Sequence, residues 1–263
     1  MPHIKANDIH IYYESFGSGP PLVLISGFAQ NHACWTKCIP QLAKHFQVIA
    51  FDNRGSGQTE APDDSYSIEM FANDTAALLE SLEIESAHFM GVSMGTLIIQ
   101  NMCLAFPEKV KKAVLCAPFA QLPLITKHNI EIQLQILASN IPRQKLVELN
   151  MSWLLSNKFM SDPKNKERYL QDLLSDPYPS PMEGLLGQAD ALKSADFTKQ
   201  LGKIPHHTLL LAADEDIDTP VACAKLMNDR MPNSTLHIFQ EVGHLFPYEI
   251  PEETSQKALS FLT

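Results

Sequence analysis

The sequence predicts an α/β fold: a mostly parallel sheet with helices on both faces and an inserted helical cap. Three observations carry this. Short apolar runs alternate with segments of helical spacing, the pattern of βαβ units. The runs read as near-continuous apolar strands, as expected when both faces of a parallel sheet are covered. A stretch from Leu122 to Ala195 breaks the alternation and reads as several helices in a row.

Taken in order, "IKANDIHIYYES" predicts a hairpin turning at Asn7-Asp8. "PLVLIS" (21–26) is the first buried strand, and "NHACWTKCIPQLAKHF" has helical spacing. "QVIAFD" (47–52) is the next strand, followed by a loop with Gly55 and Gly57. Residues 67–82 predict a helix, with Ile68, Phe71, Thr75, Leu78, Leu79 and Leu82 near one face. "AHFMGV" then leads into a helix from about Met94, and "VKKAVLCAP" (110–118) is a further strand. After the helical stretch come "HTLLLAAD" (207–214), a helix from about Pro220, "STLHIF" (234–239) and a final helix from about Pro251.

The interrupting block divides into "ITKHNIEIQLQILASN", "PRQKLVELNMSWLLSN", "NKERYLQDLLSD" and "PMEGLLGQADALKSAD", punctuated by prolines 142, 163, 177, 179 and 181. The expected organisation is a discontinuous core, 1–121 and 199–263, with a helical cap at 122–198. Apolar residues of the cap, Trp153 and Phe159 among them, suit either a pocket wall or packing of the cap on the core.

Bulk properties exclude several classes. The 263 residues carry a formal net charge of -10, which argues against nucleic acid or an anionic membrane surface as partner. No apolar run approaches the length of a membrane span. "MPHIKANDIHIYY" lacks the basic region and apolar core of a signal peptide. The five cysteines form no CxxC pair and are odd in number, the usage of reduced thiols in a cytoplasmic protein. Cys34 and Cys38 lie one helical turn apart, but two thiols fall short of the four ligands of a structural zinc site. No metal or cofactor is expected, the expected partner is a small-molecule substrate, and oligomeric state leaves no trace in the sequence.

Chemistry is concentrated in "GVSMG", where a strand ends and a helix begins. A sharp turn there places Ser93 in a strained conformation with its hydroxyl above the sheet, and demands small residues at Gly91 and Gly95. The amide of Met94, at the start of the helix, can point at an oxygen that becomes negative as Ser93 attacks a carbonyl. The same serine could instead be a simple helix cap. As a nucleophile it requires a base. Of the ten histidines, His88 and His237 lie inside strands, and His206 and His207 precede one. His244, after the last strand in "EVGHLFPYEIPEE", falls at the sheet edge where Ser93 is expected. An imidazole in that role needs a carboxylate to hold its tautomer. Asp214, Glu215, Asp216 and Asp218 follow "HTLLLAA", with Asp218 or Thr219 also suited to capping the helix at Pro220.

These loops together resemble the α/β-hydrolase superfamily. "LLLAADEDIDTP" is similar to the family's G-x-x-D-x-x-x-P acid loop, with Ala213 in place of glycine; that register implies Asp216 as the acid. Its place in the middle of the turn suits it to reach across to the histidine loop. "VGHLFPYEIPEE" resembles the histidine loop and implies His244 as the base. "FDNRGSGQTEAP" resembles D-x-R-G-x-G-x-S, with Thr59 at the last position. "LISGFAQNHACW" resembles the H-G-x oxyanion loop with Ser26 in the histidine position, implying Phe28 as the second oxyanion donor beside Met94. Val92 stands where an aromatic or histidine is commoner. The "DNRGSG" wording resembles 3-oxoadipate enol-lactonases and small carboxylesterases. Asp52 and Arg54 are read as structural, holding neighbouring loops through charge-assisted bonds.

The resemblance implies a serine hydrolase acting on a small ester, lactone or thioester through the triad Ser93, Asp216 and His244. A carbon–carbon bond hydrolase would use the same triad, and a non-enzymatic small-molecule sensor would keep the same pocket. A dehalogenase would carry aspartate at position 93.

Overall fold

The computed structural model describes residues 3–139 and 141–263; Met1, Pro2 and Asn140, the expected end of the first cap helix, lie outside them. Eight strands form one sheet: β1 (His3–Ala6), β2 (Ile9–Phe16), β3 (Pro21–Ile25), β4 (Gln47–Phe51), β5 (Ala87–Val92), β6 (Val110–Cys116), β7 (Thr208–Ala213) and β8 (Ser234–Phe239). Their spatial order is β1-β2-β4-β3-β5-β6-β7-β8. The hairpin at the edge is antiparallel, and β2 runs antiparallel to β4; every later pairing is parallel. Asn7 turns the hairpin with φ of 56°, a conformation asparagine tolerates better than most residues.

Strand periodicity divides the core in two. On β5, Phe89 joins one apolar cluster, while Met90 and Val92 join the other. On β3, Val23 and Ile25 face one way, Leu22 and Leu24 the other. Successive side chains on a strand point to opposite faces, so each central strand feeds both cores and is apolar on both sides. Helices α2 (Ile68–Ser81) and α3 (Met94–Ala105) cover the first face. Helix α1 (Ile39–Leu42) and the C-terminal helix, Pro251–Leu262, cover the second. Helix α2 begins at Ser67, whose side chain accepts from the Met70 amide, and buries Ile68, Phe71, Thr75, Leu78 and Leu79, the face read from its spacing.

The helix expected over "NHACWTKCIPQLAKHF" is broken. It forms a single 3-10 turn at His32–Trp35 and the four-residue α1. Pro40 explains the interruption: it offers no amide to an earlier carbonyl and is tolerated only in the first turn, where it stands.

Between β6 and β7 lie α4 (Leu124–Leu137), α5 (Arg143–Leu154), α6 (Asn157–Ser161), α7 (Pro163–Leu174) and α8 (Met182–Ser194). The short α6 begins at the last residue of the expected helix "PRQKLVELNMSWLLSN" and otherwise lies in the gap before the expected "NKERYLQDLLSD". Helices α9 (Val221–Arg230), α10 (Phe246–Glu249) and α11 (Pro251–Leu262) follow. The helices between β6 and β7 are tied to the loops at the carboxyl ends of the strands. The buried Gln188 of α8 accepts from the Ala29 amide at 3.0 Å and donates to the Arg54 carbonyl at 3.1 Å and to Ser56 Oγ at 2.6 Å. Ser156 donates from its amide to Glu249 at 3.0 Å. In open α/β sheets that edge is where ligands bind.

Candidate active site

Ser93 follows β5 directly, with φ of 53° and ψ of −118°. A non-glycine residue in this region stores strain on the order of 1–3 kcal/mol, retained where surrounding structure enforces it. The Ser93 amide is held by the Cys116 carbonyl at 2.9 Å, and its carbonyl accepts from Thr96. Its side chain makes no cap hydrogen bond to α3, which leaves the hydroxyl uncommitted to capping. Gly91 and Gly95 make the turn possible. A Cβ on Gly91 would lie 2.7 Å from Ile99 Cδ1 and 2.8 Å from the Gly95 carbonyl oxygen, and one on Gly95 would collide with the Ile25 carbonyl.

His244 Nδ1 and Asp216 Oδ2 lie 2.9 Å apart, and both side chains are buried. The other oxygen of Asp216 accepts from the amides of Asp218 at 2.9 Å and Thr219 at 2.8 Å. Thr219 Oγ1 donates to Asp216 Oδ2 at 2.7 Å. The carboxylate is thus fixed on both oxygens, and one of them faces the imidazole. Burial pulls the His244 pKa down, but the Asp216 charge and hydrogen bond, with the Asp218 charge behind them, outweigh it and raise it to about 9.

The other acids of the loop do different work. Asp214 Oδ1 accepts from the Glu241 amide at 2.7 Å, tying the loop after β7 to the loop after β8. Glu215 accepts from Asn157 at the start of α6. The helix-cap role open to Asp218 and Thr219 is not taken up: α9 begins at Val221 after Pro220, with no side-chain cap. Thr219 is committed to Asp216 instead. Asp218 Oδ1 is buried without a hydrogen-bond partner, and burial raises its pKa.

Ser93 and His244 line one cavity of about 160 Å³, together with Phe28, Phe119, Leu122, Ile130 and Leu192. Among the described residues His244 is the only histidine in its wall. His88 stacks edge-on against Phe46, and burial, with Lys111 and Lys112 nearby, lowers its pKa to about 4. His237 stacks on Phe239, and His206 Nε2 meets the Pro107 carbonyl. The backbone amides of Phe28 and Met94 donate to no protein acceptor among the described residues. Ala29, next to Phe28, adopts φ of 59°, held by its bond to Gln188.

Trp153 and Phe159 are not in the wall. Phe159 packs with Val147, Met151, Leu155, Tyr169 and Leu245. Asp52 and Arg54 serve structure, each with its own partner. Asp52 accepts from the His32 amide and ring at 2.7 Å and from the Gln58 amide at 2.8 Å. Arg54 forms a two-point bond to Asp74 on α2, at 2.6 and 2.7 Å. Gln188 is a site-supporting residue without a place in the sequence reading, whereas Asp218 and Thr219, read there as acid or cap candidates, support Asp216 and the cavity wall instead. For Gln188, a polar side chain set between the apolar Leu185, Ala189 and Leu192 was the available signal.

A doubly wound sheet with a strained serine at the end of a central strand, beside a buried carboxylate–histidine pair, defines the class of α/β hydrolases. The chain belongs to that family: residues 20–251 match the alpha/beta hydrolase fold. It is 25% identical to a putative carbamate hydrolase RutD from Azorhizobium caulinodans over 99% of this chain and 98% of that one. It is 27% identical to 3-oxoadipate enol-lactonase 2 from Acinetobacter baylyi over 95% of this chain and 91% of that one. Among solved structures, the putative non-heme bromoperoxidase BpoC from Mycobacterium tuberculosis superposes with a TM-score of 0.89 at 27% identity, covering 99% and 97% of the two chains. No helix among the described residues is long and apolar enough to cross a membrane.

Proposed function

We propose that this protein is a serine hydrolase that cleaves a small carboxylic ester or lactone through an acyl-serine intermediate. The observation that carries the reading is the buried His244–Asp216 pair in the loops that meet the Ser93 cavity. Neutral His244 takes the Ser93 proton as Oγ attacks the carbonyl carbon. The carbonyl oxygen becomes negative and is received by the Phe28 and Met94 amides, which have no other acceptor among the described residues. His244 then donates its proton to the leaving oxygen, and the carbon–oxygen bond breaks. Water, deprotonated by His244, attacks the acyl-serine; the bond to Ser93 Oγ breaks, His244 returns the proton to Oγ, and the acid leaves. The lactonase and carbamate hydrolase among the relatives act, by their names, on acyl carbons that this sequence of steps accommodates.

The helices between β6 and β7, 122–198, serve as the cap that sets acyl size. A cavity of about 160 Å³ is small beside the roughly 300–1,000 Å³ common for ligand sites. Short acyl groups are therefore the expected substrates. A panel of esters, lactones and thioesters of graded chain length tests the reading. Turnover should be fastest for acyl chains of a few carbons. Saturable binding without turnover across the whole panel would contradict it.

A further inference from the structure

The wall of the Ser93 cavity has an uneven charge. Its described residues include no lysine and no arginine. Apart from His244, already paired to Asp216, and Tyr169, its one ionisable group is Asp218. Asp218 Oδ1 is buried and accepts no hydrogen bond, although the Asp218 amide is engaged by Asp216 and its carbonyl by Thr126. The backbone is therefore fixed on both sides. The amide side chains of Asn129 on α4 and Asn150 on α5 line the same cavity, and the Asn129 amide acts on the Asp218 carboxyl against the effect of burial, leaving Oδ1 as the oxygen without a donor. A buried carboxylate oxygen without a donor is costly, and a ligand that supplies one relieves that cost.

We propose that Asp218 selects substrates by charge, admitting esters that are neutral or carry a cationic, hydrogen-bond-donating group and refusing those that carry a carboxylate. The inference rests on the hydrolase reading above and narrows it to a substrate class. A carboxylate inside the cavity would approach Asp218 with no cation but His244 to offset the repulsion, and the low-polarity wall of Phe119, Leu122 and Leu192 screens it poorly. An ammonium or amide group would meet the free Oδ1 instead. Asp218 is thus a specificity residue, separate from Asp216, whose oxygens are fully used.

The test compares nitrophenyl butyrate with two esters of similar shape, the hemisuccinate and the primary-ammonium (4-aminobutyrate) analogue, and with alcohols bearing the same charges. The ratio of kcat/KM for the charged and neutral esters is taken within each enzyme, which cancels any effect on nucleophile activation. Wild-type protein should disfavour the carboxylate esters by roughly 10- to 100-fold. Asp218→Asn should raise that ratio about tenfold or more and remove any preference for the cation. Should the asparagine variant fail to fold, Asp218→Ser supplies the same comparison. A wild-type ratio near one, or a ratio unchanged by the substitution, overturns the inference while leaving the hydrolase reading intact. Absence of turnover on the neutral ester overturns both.

Discussion

Thr219 Oγ1 and His244 Nδ1 converge on the same oxygen of Asp216, at 2.7 and 2.9 Å. The threonine hydroxyl and the imidazole are 3.4 Å apart, so the oxygen acts as a hinge between the loop after β7 and the loop after β8. Sharing one acceptor holds the carboxylate towards the imidazole of His244, a residue that lines the cavity.

Replacing Asp216 by asparagine keeps an oxygen for the Asp218 and Thr219 amides but offers an amide group to Nδ1. The favoured tautomer then changes, and turnover should fall by as much as about 10⁴-fold with the fold retained. Asp214→Asn should cost far less activity, because Asp214 serves the Glu241 amide. Steady-state turnover and thermal midpoints of the two variants check this; a crippled Asp214→Asn beside a normal Asp216→Asn contradicts it.

Thr219→Val removes a buried donor from a charged acceptor and should destabilise the protein by about 1.5–3 kcal/mol. Thr219→Ser should recover most of that. Urea unfolding midpoints at constant slope read the difference, and equal stability of the two variants would deny the hydroxyl its role.

His244 is raised to about 9 by its carboxylate neighbours against the pull of burial. Acylation needs the neutral imidazole, so kcat/KM should rise with pH along a limb above 6.5, the ordinary value for histidine. The stability sign is the opposite. A group whose folded pKa lies above its unfolded value favours the fold most below about 6.5, and that contribution is lost as pH rises through about 9. A pH–rate profile and thermal midpoints across the same range test both statements. An acid limb at or below 6.5 contradicts them.

Arg54 and Asp74 form a buried two-point ion pair. Arg54→Ala leaves Asp74 with only the Asn7 amide and should cost about 3–5 kcal/mol. Catalytic turnover per folded molecule should stay near wild type. A large loss of turnover at unchanged stability would give Arg54 a chemical role.

Much of this was legible in the sequence because the strands are short, apolar and bounded by loops of specific chemistry. Ser93 was visible through the glycines that its turn demands, and His244 through its place after the last strand. Asp216 stood among four acids and was separated from them by family register and by its place in the middle of the turn. The break in the helix after Asn31 was missed because apolar spacing outweighed Pro40. Helix α6 is too short to show periodicity. The fates of Asp218 and Thr219 were not legible, since a residue before a helix-opening proline suits a cap as well as a carboxylate partner. Only three-dimensional proximity to His244 decides between them. Asp52 and Arg54, read as one structural pair, hold separate loops because Asp74 lies in reach only once α2 packs against β1.

The central claim is that Ser93 is a nucleophile activated by His244. Treatment with a fluorophosphonate probe, followed by mass spectrometry of the digested protein, measures it most directly. The probe should label the peptide containing Ser93, with labelling slowed by orders of magnitude in His244→Ala and abolished in Ser93→Ala. Labelling that persists in Ser93→Ala, or proceeds at the wild-type rate without His244, would contradict the account.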